Sequence, residues 1–236
     1  MDLIFENSFS QIKLLLRYSN KSTKDDLKYI WIAQERFAAY HLHSGDFTRA
    51  RILREQNVEF WETNNESLKS IEYLSILLSA SSSEIISQNY DKAGQYLCRA
   101  MPLAEKRSGT VVYPVFLLMK GIYCNYVSLY GKGNEEILDE GWIDKIVVRF
   151  KGLSVSEKFK EEAETSFLKI LDIENNSNGN KSIEYVQGLH RLASFYLDQG
   201  DKIKANQLLK EAKQKCEKYK STNVDLYYTI LLSFTI

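Results

Sequence analysis

The 236-residue sequence predicts an all-α protein made of stacked antiparallel helix pairs, and three observations carry that prediction. Apolar residues recur at i, i+3, i+4 and i+7 along most of the chain, the period of helices with one buried face. Only 2 prolines and 11 glycines punctuate it, whereas an all-β fold needs turn signals at roughly ten-residue intervals. Finally, 15 Tyr and 11 Phe, many at helical spacing, supply large rings with which a thin two-layer helical array can bury area.

Taken in order, residues 3–18 form the first predicted helix, with Phe5, Phe9, Ile12 and Leu16 on one face. Thr23 with Asp26, Thr63 with Glu66 and Ser154 with Glu157 have the spacing of capping boxes and mark helix starts. A helix over about residues 114–130 is apolar nearly all round, through Phe116, Leu117, Leu118, Met119, Ile122, Tyr123, Tyr126 and Val127, and is predicted to be the most buried. Gly131-Lys132-Gly133-Asn134 ends it. Helices over about 135–150 and 156–172 follow, with Gly152 between them. The Asn/Ser/Gly run over residues 175–182 reads as the longest polar loop and a mobile segment.

The last third has the clearest pattern. Leu189, Leu192, Ala193, Tyr196 and Leu197 share a helix face that ends at the turn Asp198-Gln199-Gly200-Asp201. Beyond it Ala205, Leu208, Leu209, Ala212, Cys216 and Tyr219 fall in one arc of about 100°, a stripe whose small residues admit a close neighbour. The final stretch, residues 224–236, is apolar on several faces, with Leu226, Tyr227, Ile230, Leu231 and Phe234 in excess of what one helix pair covers. It is therefore expected to contact a partner, most simply a second copy of the chain.

Composition narrows the function classes. Lys+Arg and Asp+Glu balance at 31 each, so no overall field draws the chain to nucleic acid or membrane. Cys98, Cys124 and Cys216 are odd in number, far apart and set among apolar residues, which suits buried thiols in a reducing compartment better than a disulfide framework or zinc site. The N-terminus lacks the basic and apolar regions of a signal peptide, and no apolar run is expected to reach the roughly 20 residues of a membrane-spanning helix. These features predict an intracellular protein, cytoplasmic or nuclear.

The segment Leu189-x-x-Leu192-Ala193-x-x-Tyr196-x-x-x-Gly200-Asp201-x-x-x-Ala205-x-x-x-Leu209-x-x-Ala212 resembles a tetratricopeptide repeat (TPR). Leu189 stands in place of the usual tryptophan, Lys202 in place of the aromatic after the turn, and the closing proline is missing. The pattern recurs as Phe37-Ala38-x-x-His41-x-x-x-Gly45-Asp46-Phe47-x-x-Ala50. A third copy joins Ala80 to Asn89-Tyr90-Asp91-Lys92-Ala93, with Leu97 and Ala100 following. The best matches cover about 31–62, 74–106 and 186–219, with irregular helices over 113–172, in a single domain over 1–236. From Ala50 to Ala93 the step is 43 residues, longer than the family's 34. Such irregular repeats resemble those of Gram-positive peptide-sensing regulators and of large eukaryotic scaffolds. The resemblance implies a right-handed superhelical array.

No catalytic signature is present. His41 and His43, two apart on one helix, diverge by about 200° and cannot hold one metal ion from that helix. The 131–134 turn lacks the spacing of a phosphate loop. The expectation is accordingly a non-enzyme with no cofactor and no metal. Lys202, Lys204, Lys210, Lys213, Lys215, Lys218 and Lys220 crowd one helix and could contact phosphates. They split, however, to either side of its apolar stripe, as lysines snorkelling from a helix with one buried face do.

The TPR resemblance implies that the first helix of each pair lines a concave groove for peptides. Carrying the groove positions across gives Glu35, Ala39, Leu42 and His43, then Ser75, Leu78, Ser82 and Ile85, then Gln187, His190, Ser194, Leu197 and Asp198. Small and polar residues there suit contact with a peptide backbone, although plain solvent-facing positions would look the same. The lysine and asparagine constellation with which family members clamp a chaperone's C-terminal carboxylate is not evident. Three readings stand: a protein or peptide interaction module, a peptide-sensing regulatory domain, and a nucleic-acid-associated scaffold using the 202–220 helix.

Overall fold

The computed structural model describes residues 24–64, 68–131 and 154–233, and among these every regular element is helical. The chain separates into two compact units, Met1–Ser108 and Gly109–Ile236. The predicted helices over 3–18 and 135–150, the Thr23 capping position and Phe234 lie outside the described residues.

The first unit contains two antiparallel hairpins, α1 (Lys24–His43) with α2 (Phe47–Asn64) and α3 (Ile71–Ile86) with α4 (Tyr90–Glu105). Each helix packs on the next in the chain. Ala38, Ala50, Leu74, Leu77, Ala93, Leu97 and Ala100 are sealed in its core. On α2 the buried stripe is Ala50, Leu53, Arg54, Asn57, Val58 and Trp61, a helical i, i+3, i+4, i+7 series that includes two polar residues. Thr63 starts no helix. Its hydroxyl donates to the Glu59 carbonyl inside the last turns of α2, and the N-cap of α3 is Ser70, which accepts from the Tyr73 amide at 3.1 Å.

The second unit comprises α5 (Val112–Tyr130), α6 (Val155–Asn178), α7 (Ile183–Asp198), α8 (Lys202–Cys216), a 3₁₀ turn (Glu217–Tyr219) and α9 (Val224–Leu232). Ser154 and Glu157 form the expected capping box at the start of α6. Two glycines permit close helix approach: a Cβ on Gly121 of α5 would lie 3.0 Å from the Phe167 ring of α6, and one on Gly188 of α7 would lie 2.8 Å from Leu171. Phe159, Ala163, Leu189, Ala193, Phe195, Ala205, Leu209, Ala212 and Cys216 fill the core. None of the three cysteines is in a disulfide; Cys124 and Cys216 are buried, Cys98 half-buried. Burial pushes the Cys124 thiol far above its ordinary range, which keeps it an inert packing group.

Three expectations are corrected here. The run over 175–182 is not wholly a loop, because α6 continues to Asn178 and stops at Gly179, φ +78°. Side-chain bonds one turn apart, Asn176 to Asp172 (3.0 Å) and Asn178 to Glu174 (2.8 Å), sustain those last turns. Helix α5 is not uniformly buried either: Val115, Tyr126 and Tyr130 are exposed, while Phe116, Leu117, Tyr123 and Val127 face inward. By length and composition alone α5 does reach the span of a membrane-crossing helix, contrary to the expectation that no apolar run would. In this unit it packs against α6 as a core helix, with Lys120 paired to Glu162.

Helix α9 also turns out differently from expectation. Tyr227 and Ile230 are buried and Leu226 and Leu231 half-buried, because that face lies against α8 and the 3₁₀ turn. The apolar surface left outside is Val224, Tyr228 and Leu232, at i, i+4 and i+8.

Candidate functional site

The three sequence repeats share one turn geometry. At each, the first helix ends in a Schellman motif, the position before the second helix taking a positive φ: Gly45 (+82°), Gln88 (+59°) and Gly200 (+79°). The longer bond runs from Asp46 N to His41 O (2.8 Å), Asn89 N to Glu84 O (2.9 Å) and Asp201 N to Tyr196 O (2.8 Å). Asp46 and Asp201 then cap α2 and α8 by accepting from the Arg49 and Lys204 amides, each at 3.0 Å. Asn89 does not cap α4; its side chain donates instead to the buried Glu84 carboxylate.

Each turn brings the second helix back along the first, covering one of its faces. On α1, His43 is exposed, Ala39 and Leu42 are half-buried, and Glu35 is turned toward its neighbours. Arg54 of α2 donates through Nε (3.1 Å) and Nη2 (2.7 Å) to Glu35 Oε1, and through Nη1 to Ser83 Oγ (2.8 Å) and the Ser79 carbonyl (3.2 Å) of α3. This one guanidinium therefore ties α1 and α3, the first helices of consecutive pairs, to the helix between them. A charge on the buried stripe of α2 was the sequence signal for it, and the groove reasoning passed over it.

On α3, Ser75 and Ser82 are half-buried, whereas Leu78 and Ile85 are each 4% exposed and offer a ligand little surface. The Ser75 hydroxyl donates back to the Ile71 carbonyl at 3.0 Å, so its hydrogen is used within the helix. The exposed stripe of α3 is bounded by Ile71 and Ile86.

On α7 the candidates share one side of the helix. Gln187 and Asp198 are exposed; His190, Ser194 and Leu197 are half-buried. Asp198 Oδ2 accepts from Asn125 Nδ2 of α5 at 2.8 Å, and Gln199 Nε2 donates to Asn125 Oδ1 (2.9 Å) and Ser128 Oγ (3.0 Å). The buried Asn125 thus orients an exposed carboxylate, a role that only the hydrogen bond from α5 to the end of α7 reveals. His190 Nε2 lies 3.0 Å from Ser233 Oγ. The same Ser233 hydroxyl also lies 3.0 Å from the Thr229 carbonyl, which it can reach as a donor. Burial, followed by the nearby Arg191 charge, lowers the His190 pKa and favours the neutral ring.

The lysines of α8 and the following turn are largely engaged. Lys204 lies over the Tyr196 ring and near Asp201. Lys215 sits over Tyr185 and pairs with Glu211. Lys218 covers Tyr219, and Lys220 covers Tyr227. Among the described residues no group of three His, Cys, Asp or Glu side chains is placed to hold a metal ion.

No protein-family model matches the sequence, and no curated protein does. Solved structures do match by fold. One is a Podosopora anserina protein described as a kinesin light chain with nearly identical TPR-like repeats, at a TM-score of 0.58 and 12% identity, covering 92% of this chain and 90% of that one. A point variant of the same protein matches at a TM-score of 0.60 and 12% identity, over 92% of this chain and 89% of that one. With the all-helical architecture and three like turns, the fold is that of TPR-like helical repeats.

Proposed function

We propose that this chain is a non-enzymatic, intracellular interaction module that takes a peptide or protein partner on the open faces of its first helices. The observation that carries the reading is the α7 face, where the exposed Gln187 and Asp198 flank half-buried His190 and Ser194, and Asp198 is held in place from behind by Asn125. Oriented polar groups on a rigid helix suit recognition of an extended backbone or an amide-bearing or basic side chain. The TPR-like fold supports the same reading, because its members generally bind proteins or peptides.

Nucleic-acid binding is the weaker reading, since four of the lysines it needs already stack on tyrosine rings of the same unit. A peptide-sensing regulatory domain would use the same α7 face and is a special case of the first reading. Self-association is a further part of the proposal, with the Val224, Tyr228 and Leu232 stripe of α9 as its surface.

The test is quantitative capture of partners from the native host with the full chain, an Asp198→Lys variant, and a Lys213→Glu, Lys220→Glu variant. Loss of partners with Asp198→Lys alone supports the groove. Loss with the lysine pair alone moves the interaction to the outer helix edge and overturns the residue assignment.

A further inference from the structure

Glu84 is 1% exposed, yet it carries a carboxylate into the junction of α2, α3 and α4. Asn89 Nδ2 (2.9 Å) and Arg51 Nη1 (3.8 Å) both approach the same oxygen, Oε2. The Arg51 side chain is about one-third exposed, so solvent screens its charge. From α2 the carboxylate also faces Glu55, and from α4 it faces Lys92 and Tyr96. Lys92 is itself paired with Glu55. One short hydrogen bond and a long, screened ion pair are a thin environment for a buried charge, which in water would be fully hydrated.

We propose that Glu84 makes the α3–α4 turn a proton-sensitive stability element: as the solution is acidified the enclosed carboxylate takes up a proton while the unit is folded, and the first unit becomes more stable as it does. A neutral carboxyl still accepts the Asn89 hydrogen bond through its carbonyl oxygen, so the turn keeps its geometry. Arg51 loses a distant partner and is hydrated in exchange. Burial of the carboxylate is the largest influence on its affinity for the proton and raises it, outweighing Asn89, Arg51 and Lys92. The folded state then binds the proton more tightly than the unfolded state does. The resulting stability is fully present below the ordinary carboxylate pKa of 4.5 and is lost as pH rises through the higher folded-state value. This proposal is independent of any partner.

Urea denaturation of the full chain and of Glu84→Gln from about pH 3.5 to about pH 8 tests it. The amide keeps the acceptor and removes the charge. The expected result is that the variant's advantage over the parent grows as pH rises through the folded-state value and vanishes only below the ordinary carboxylate pKa of 4.5. Parallel curves for the two proteins would overturn the proposal. Should Glu84→Gln fail to fold, the ¹³C carboxyl resonance of Glu84 in the parent protein decides the matter. A midpoint above 4.5 supports the proposal, and one at or below it sinks the idea.

Discussion

Gln88 holds, at φ +59°, the left-handed turn position that Gly200 holds at +79°. The two turns make the same pair of backbone hydrogen bonds, so the difference between them is the cost of a Cβ in that conformation. The Gln88 side chain is exposed and contributes little packing in return. Gln88→Gly should therefore stabilise the first unit by about 1 kcal/mol, and Gly200→Ala should destabilise the second by a similar amount. No neighbour crowds Gly200, so the Ala variant isolates the conformational term. Urea midpoints of the two variants check both signs.

Ala50, Ala93 and Ala205 have no exposed surface and stand at the same place in the three repeats. Replacing Ala205 by Phe should overpack the crossing of α7 with α8 and cost roughly 1–3 kcal/mol. An unchanged unfolding midpoint would show that this crossing is looser than the close packing of Ala205, Leu209 and Ala212 implies.

Glu35 looks in the sequence like a solvent-facing acid that could be reversed without harm to the fold. Its bond to Arg54 says otherwise: the Arg54 side chain is only 9% exposed, and its guanidinium would meet a second cation in Glu35→Lys. That variant should lose on the order of 3 kcal/mol of stability. Asp198→Lys, on an exposed position, should lose less, about 1–2 kcal/mol, because the buried Asn125 amide gives up a charged acceptor. Thermal unfolding of both variants side by side separates these outcomes, and equal effects would contradict the Arg54 bridge.

Helix α9 leaves Tyr228 56% and Leu232 65% exposed. If that stripe joins two copies, light scattering at micromolar concentration should report a dimer for the parent chain, and Tyr228→Lys should return it to a monomer while leaving the buried Tyr227 and Ile230 undisturbed. A parent chain that stays monomeric would remove self-association from the proposed function.

Local chemistry determined much of this protein before any folding was considered. Among the described residues the period of apolar residues located the helices, the Gly-Asp turns located two of the hairpins, and Ser154 with Glu157 marked the start of α6, because each depends only on residues within a turn or two of one another. Even the third repeat was legible without its glycine, since Ala80, Ala93, Leu97 and Ala100 keep the spacing of the buried stripe. What the tertiary structure decided was the fate of polar side chains whose partners lie on other helices. Whether Glu35 faced a ligand or Arg54, whether Asp198 was free or held by Asn125, and whether Glu84 was solvated or enclosed beside Arg51 are matters of distance across 19, 73 and 33 residues of sequence respectively. The same holds for α9, whose apolar faces are nearly equivalent on a helical wheel. Only its contact with α8 determines that Tyr227 and Ile230 are buried and that Val224, Tyr228 and Leu232 face outward. Periodicity states that a face is apolar; which apolar face is covered depends on a neighbouring helix that the period does not encode.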